Sequence, residues 1–220
     1  MKSLLMYELK KFYYLNKILL LGIPVILIAA ISGESYVHNQ TVVWLYLLPF
    51  YILTMTFSIY GFQYDSFYFD GLCANGKDFI RNSIIVRYIL TQIGYIISLL
   101  FLLLLCNNKN YIITTALFYF GIFNYIALST FFLFKKRFDF CAKIPDTSGR
   151  NSSLLQYFIV YMVPMFSSYS LCILLDYYAS LQKIIWGVLF VLGLLSIFWL
   201  NFVIKKTQKK RYELMEAFRE

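Results

Sequence analysis

The stretch IIWGVLFVLGLLSIFWLNFVI, residues 184–204, contains no charged residue. Crossing the hydrocarbon core of a bilayer takes about 20 apolar residues in a helix, and this stretch is long enough. Backbone amides without hydrogen-bond partners are too costly in hydrocarbon, so a run of this length and uniformity predicts a transmembrane α-helix. The sequence therefore predicts an integral membrane protein.

Five comparable apolar blocks precede this one. The six predicted spans are residues 18–35, 42–62, 83–106, 111–134, 154–175 and 184–204. The composition agrees, because 60% of the 220 residues are hydrophobic and only 14% are charged, whereas soluble domains carry about 25% charged residues. We predict an all-α, polytopic protein that forms a single transmembrane domain over residues 1–220.

The cations predict the orientation of the spans, because lysine and arginine are retained on the cytoplasmic side of a membrane. Of the 20 lysines and arginines, only Lys109 and Lys183 fall in the loops that an ends-inside topology places outside. Both termini are therefore predicted to be cytoplasmic. This topology also accounts for the formal charge of +9, so the lipid bilayer is a predicted partner and nucleic acid is not.

The central turns of the six blocks carry no acidic or basic residue, and Arg87, one turn into the third block, is expected to snorkel to the surface. A proton- or ion-coupled transporter usually keeps an ionisable residue at mid-membrane, so this pattern disfavours that class. Asp176, at the outer end of the fifth block, is interpreted as a solvated carboxylate.

The sequence also contains none of the catalytic motifs that would indicate an enzyme. The one histidine, His38, lies in an outer loop, and metalloprotease, nucleophile-elbow and P-loop motifs are missing. We predict no catalytic residue, no metal site and no cofactor, so an ATP-driven role would require a separate subunit. The four cysteines form no C-x-x-C pair, and a disulfide between Cys106 and Cys172 is left open.

The N-terminal stretch has the pattern of an amphipathic helix. Helical spacing gathers its apolar side chains on one side, namely Leu5, Leu9, Phe12 and Tyr13. Lys10 and Lys17 fall on the opposite side, which predicts a helix that lies in the membrane interface. A basic flank that only fixes topology explains the pattern equally well.

The loop between the second and third blocks contains a short aromatic segment. Its candidate docking residues are Asp65, Ser66, Phe67, Tyr68, Phe69, Asp70 and Leu72. Asp65 or Ser66 can cap a short helix, and Gly71 or the pair Asn75 and Gly76 can end it. Such a helix can dock a cytoplasmic partner, or it can lie among the lipid headgroups with its aromatic side chains at the interface.

Hydroxyl side chains cluster in two spans and are candidate lining residues of a pathway. The second block carries Thr54, Thr56 and Ser58, and the fifth carries Ser167, Ser168 and Ser170 beside Pro164. Packing between helices, or hydrogen bonding to carbonyls one turn back, is the other use of such residues. The pattern fits both interpretations.

This layout resembles the six-helix permease subunits of ABC exporters of the type V class. The shared features are a basic amphipathic N-terminal helix, six spans with both ends inside, and an acidic, short-helical opening of the loop after the second span. Residues 69–72, Phe-Asp-Gly-Leu, and residues 86–88, Val-Arg-Tyr, occupy the matching places. Such permeases commonly carry re-entrant helices between spans five and six, whereas the connection here is short unless residues 166–183 fold back.

The resemblance implies that residues 65–72 form a coupling helix that docks into a separate cytoplasmic ATPase subunit. It also implies a homodimer or heterodimer of permease subunits in a bacterial cytoplasmic membrane, with a pathway between spans two and five. The substrate class is left open, and an amphipathic or lipid-like molecule fits the lining. A membrane scaffold or accessory subunit that transports nothing is the alternative function.

Overall fold

The computed structural model describes residues 5–7, 9–10, 46–51, 54, 77–133 and 152–219. Across these ranges the chain is helical apart from short turns, and they contain no β-strand. The all-α prediction is therefore confirmed for the part of the chain that the structure describes.

The helices with complete bounds follow one another closely along the chain. In chain order they are α1 (Lys77–Leu105), α2 (Lys109–Phe118), a π-helical segment (Tyr119–Phe123), α3 (Asn124–Leu133), α4 (Ser152–Tyr177), a 3-10 turn (Ala179–Leu181), α5 (Gln182–Lys209) and α6 (Arg211–Arg219). The segments α2, π and α3 run on without a break, and together they are called the central span.

Three helical stretches are long and apolar enough to cross a membrane, namely Asp78–Leu105, Lys109–Leu133 and Ala179–Lys209. Even the shortest, at 25 residues, would extend about 37 Å, more than the roughly 30 Å of hydrocarbon. They coincide with the third, fourth and sixth predicted blocks. By length and composition the chain is therefore an integral membrane protein.

Two of these helices extend beyond the predicted blocks. α1 begins at Lys77, six residues before the predicted start, and Asp78 in its first turn complements the positive end of the helix dipole. α5 continues past Ile204 to Lys209 because its final turns bury Thr207 and place two lysines where the dipole is negative.

The connection after α4 is short. α4 runs continuously from Ser152 to Tyr177 with Pro164 inside it, and only the 3-10 turn separates it from α5. The alternative in which residues 166–183 fold back is therefore wrong, because their backbone continues α4 and then turns directly into α5.

The four long segments alternate in direction. At one end, Ile84 of α1 belongs to the same core cluster as Phe131 of α3 and Ile204 of α5. At the other end, Leu102 of α1 clusters with Tyr111 of α2 and Cys172 of α4. α1 and α4 therefore run one way, and the central span and α5 run the other.

The two ends differ in the number of cations that they carry. The first end, called the basic end, carries the cations Arg81, Lys205, Lys206, Lys209, Lys210 and Arg211. In the described residues, the opposite end has only Lys109 and Lys183. Between the ends the surface is apolar, as shown by the exposed side chains of Ile97 on α1 and Phe198 on α5. The central span lies inside the bundle, since most of its side chains are buried.

Candidate functional site

A hydrogen-bonded group of polar side chains joins α1, α3 and α5 inside the bundle. The Ser196 hydroxyl donates to the Gly193 carbonyl at 2.6 Å, so its lone pairs are left to accept. The Tyr88 hydroxyl lies 2.9 Å from Ser196 Oγ, and Asn124 Nδ2 donates to the same oxygen at 3.5 Å. Ser196 therefore ties three helices together at one point.

Further hydrogen bonds join α5 to the central span along most of its length. The Trp186 indole donates to Thr114 at 2.9 Å, and the Trp199 indole donates to Ser129 at 3.2 Å. Between them, the Tyr125 hydroxyl donates to the Leu192 carbonyl at 2.8 Å. Interhelical bonds of this kind contribute about 0.6 kcal/mol each in a membrane protein.

The backbones of the central span and α5 approach closely at the π-helical segment. A Cβ added to Gly121 would lie 2.5 Å from the Leu189 carbonyl oxygen of α5. A Cβ added to Gly193 would lie 1.9 Å from the ring of Phe120. Small residues let membrane helices approach in this way, and π-helical segments frequently occur at functional sites. The central span and α5 therefore pack as one unit.

A second polar group lies among aromatic rings on the other side of the central span. Thr54 donates to the Phe50 carbonyl at 2.8 Å and accepts a hydrogen bond from the Tyr95 hydroxyl. The Tyr119 ring lies 6.3 Å from that of Tyr95 and 5.9 Å from that of Phe50, centroid to centroid. These four residues, Phe50, Thr54, Tyr95 and Tyr119, are called the tyrosine cluster.

The tyrosine cluster contains a polar atom without a partner. Tyr119 is completely buried, and its hydroxyl has no hydrogen-bond partner in the part of the chain that the structure describes. On α4, Ser168 is also completely buried, and its hydroxyl is likewise without a partner there. Buried polar groups are normally hydrogen-bonded, so each exception needs an explanation such as a bound water or ligand.

Comparisons of the chain with protein-family models, curated proteins and solved structures found no match. The candidate site is therefore interpreted from its own chemistry. Within the described ranges, no three His, Cys, Asp or Glu side chains lie close enough together to hold a metal ion.

Arg87 does not snorkel to the surface, so that expectation is wrong. The helix starts ten residues before it, at Lys77, and Arg87 lies about 15 Å along the axis from that end. Its side chain is only 1% exposed, and its guanidinium lies 5.9 Å from the centre of the Phe131 ring. An ionisable residue held inside the spans is a candidate for function.

The predicted pathway residues lie in different environments. Thr54 belongs to the tyrosine cluster and Ser168 is buried on α4, whereas Ser167 and Ser170 are exposed on α4. Thr56 and Ser58 lie outside the described residues. Met165 and Cys172, which share a helix face with Ser168, pack in the apolar cluster around Tyr95 and Tyr119. Thr54 and Ser168 thus approach the same cluster from two different segments.

The other predicted sites are described in part or not at all. Leu5, Leu9 and Lys10 are helical and exposed, while Phe12 and Tyr13 lie outside the described residues, so the interfacial helix stays a prediction. All seven residues of the coupling helix, from Asp65 to Leu72, also lie outside them.

Two side chains of α4, the carboxylate of Asp176 and the thiol of Cys172, pack against α2 near the opposite end. The Tyr111 hydroxyl donates to the Asp176 carboxylate, and desolvation by neighbouring groups raises the pKa of that carboxyl. Cys172 lies 3.6 Å from the Thr115 hydroxyl. Cys106 and Cys172 are both buried, and no disulfide joins them.

Sequence reasoning missed the residues at the centre of both polar groups, including Tyr95, Tyr119 and Ser196. A signal for some of them was present, because Gly193, Ser196 and Trp199 recur at helical spacing in an otherwise apolar block. That spacing places small and polar residues on one face, which is typical of a helix that packs against another in a membrane.

Removing the Tyr119 hydroxyl should stabilise the protein. In Tyr119→Phe the ring remains and the hydroxyl without a partner is lost, which relieves a desolvation penalty of about 1–3 kcal/mol. Tyr95→Phe should instead destabilise it slightly, because Thr54 loses a donor. Thermal unfolding of both variants in one detergent measures the difference, and a midpoint for Tyr119→Phe below that of the wild type would contradict it.

Proposed function

We propose that the chain is the membrane-spanning permease subunit of an ATP-driven exporter, with six spans, both termini in the cytoplasm, and energy supplied by a separate ATPase subunit. The alternating directions of α1, the central span, α4 and α5 fit this topology. The basic end is then the cytoplasmic end, where lysine and arginine are retained.

The observation that carries the proposal is the position of the tyrosine cluster. Residues 46–51 belong to the predicted second span, and part of α4 belongs to the fifth, and both pack against the same apolar core. Tyr119 belongs to this core, and Ser168 lies on α4 between Met165 and Cys172, which pack in it. In the part of the chain that the structure describes, both hydroxyls are buried without a hydrogen-bond partner. Such groups can take hydrogen bonds from a passing substrate with an apolar body and few polar atoms.

The charges of the described residues support an energy source other than a proton gradient. Among the described residues, the only charged side chain that is buried is Arg87, while Asp78, Asp176, Glu213 and Glu216 are exposed. A buried carboxylate or histidine that could carry a proton through the spans is therefore missing from this part of the chain. ATP hydrolysis by a partner supplies the energy in the proposed mechanism, and movement of residues 65–72 transmits it to the spans.

Charge placed on the predicted coupling helix should separate the two subunits. In Phe67→Glu/Phe69→Glu, burying two carboxylates at the ATPase interface is unfavourable, so we expect at least a tenfold loss of co-purified ATPase. The ATPase is identified by mass spectrometry as a P-loop protein and measured by vanadate-sensitive hydrolysis.

The matched control is Tyr177→Glu/Tyr178→Glu, which changes two exposed aromatic residues at the opposite end and should leave the ATPase bound. Equal recovery of the ATPase with the wild type and with the Phe67/Phe69 variant would contradict the docking role of this segment.

The close contacts at Gly121 and Gly193 favour a second candidate function, a scaffold or accessory subunit that transports nothing. A unit so tightly packed suits a static role in a membrane complex. The two functions differ in a measurable way, because a scaffold gives a stable complex whose ATP hydrolysis does not respond to candidate amphipathic substrates.

A further inference from the structure

One face of α5 is exposed along its entire length. Its members recur in alternating steps of four and three residues, which follow one side of a helix. They are Ile184, Val188, Val191, Leu195, Phe198, Phe202, Lys205 and Lys209. The six apolar members are 45–72% exposed, so in a membrane this stripe faces the acyl chains of the lipids.

The two lysines lie on the same stripe just past its apolar part. From Ile184 to Phe202 the helix rises about 27 Å, close to the thickness of the hydrocarbon core. Lys205 lies about 5 Å beyond Phe202 along the helix axis, and Lys209 about 10 Å beyond it. Both lysines therefore lie at the depth of the lipid headgroups and on the side that meets lipid.

The chain turns directly after Lys209, and this corner is fixed to the bundle. Lys210 forms the turn, and α6 begins at the next residue. Leu214 of α6 is completely buried in the core cluster of the basic end. The lysines at the turn are thus held on a packed structure rather than on a free tail.

Two of the nearby cations lie over aromatic rings. Lys206 Nζ lies 4.3 Å from the centre of the Phe132 ring, and the Arg211 guanidinium lies 4.4 Å from that of Tyr212. Carboxylates are present on α6 and at the start of α1, at Glu213, Glu216 and Asp78. Lys205, Lys209 and Lys210, which are called the lysine corner, lie at the end of α5 and at the turn that follows it.

We propose that the lysine corner binds the headgroup of an anionic phospholipid. The phosphate lies among the three ammonium groups, and the acyl chains lie along the apolar stripe that ends at Phe202. Clusters of lysine and arginine directly after a membrane-crossing helix bind anionic lipids, and residues 205–211 carry five such cations. The inference does not depend on transport, and it applies equally if the protein is a scaffold.

The test uses the full chain in a neutral detergent, titrated with phosphatidylglycerol or with phosphatidylcholine. Binding is followed by the thermal unfolding midpoint and by native mass spectrometry. We expect phosphatidylglycerol to bind at least tenfold more tightly than phosphatidylcholine, and 0.5 M NaCl to weaken it because the charges are exposed. Equal affinity for the two lipids would overturn the proposal.

Variants locate the site. Lys205→Gln/Lys209→Gln/Lys210→Gln should reduce the affinity for phosphatidylglycerol at least tenfold, while Lys109→Gln/Lys183→Gln at the opposite end leaves it unchanged. Replacing the same three lysines by arginine should keep the affinity for phosphatidylglycerol close to that of the wild type, because the positive charges are retained. If the triple glutamine variant does not fold, Lys205→Gln and Lys209→Gln are measured singly, with about a fivefold loss expected for each.

Two results would overturn the site. One is full affinity for phosphatidylglycerol in the glutamine variants that fold. The other is an equal shift of the unfolding midpoint with the same concentration of inorganic phosphate, which would mean that the corner binds a free anion and that the apolar stripe plays no part.

Discussion

Replacing Gly121 by alanine is expected to lower the stability of the protein by about 1–3 kcal/mol, the range for overpacking a dense interior. The added Cβ would lie 2.5 Å from the Leu189 carbonyl oxygen and 3.1 Å from its carbonyl carbon. Both are backbone atoms of α5, so the helices themselves must separate. The thermal unfolding midpoint in detergent measures the loss.

The chain provides a matched control on α5. A Cβ added to Gly187 would have no atom within 4 Å, so Gly187→Ala should be neutral or slightly stabilising, since alanine favours a helix by about 1 kcal/mol over glycine. Equal midpoints for Gly121→Ala and Gly187→Ala would contradict the close packing of the central span against α5.

Truncating Arg87 is expected to have the other large effect. Among the residues that the structure describes, Arg87 has the largest fully buried side chain, and Arg87→Ala leaves a cavity beside Phe131. Large-to-small substitutions in a core cost about 2–5 kcal/mol, and we expect a loss in this range. Arg81→Ala, at an exposed position of the same helix, should change stability by less than about 0.5 kcal/mol.

Arg87→Met separates volume from charge at this position. Methionine fills much of the same space and removes the guanidinium, so it should recover at least half of the loss seen in Arg87→Ala. If Arg87→Met is as unstable as Arg87→Ala, the interactions of the guanidinium hold this part of the bundle together, and packing against Phe131 is secondary.

The architecture could be predicted because the apolar blocks are long and their flanks are basic. Length alone places a helix over residues 184–204, and α5 covers them. The helix ends were harder, since α1 starts before its apolar block and α5 continues after its block. Both extensions depend on packing at the basic end, where Ile80 and Thr207 are buried, and a hydropathy pattern contains no information about neighbouring helices.

The candidate site could be predicted only in part. Thr54 was identified as a hydroxyl inside a span, but its tyrosine partner is 41 residues away, and pairs this distant depend on how the helices pack. Arg87 was misassigned because snorkelling depends on which face of the helix meets lipid. The sequence of the π-helical segment cannot be distinguished from that of an ordinary α-helix.

The hydrogen bonds that join the central span to α5 can form only late in biosynthesis. Chains are made from the N-terminus, so the central span enters the bilayer before α5 exists. Until then, Thr114, Asn124 and Ser129 lack the partners that α5 provides at Trp186, Ser196 and Trp199. A ribosome stalled before residue 182 would therefore leave a membrane-inserted intermediate in which these polar side chains lack their α5 partners, an unfavourable state in hydrocarbon.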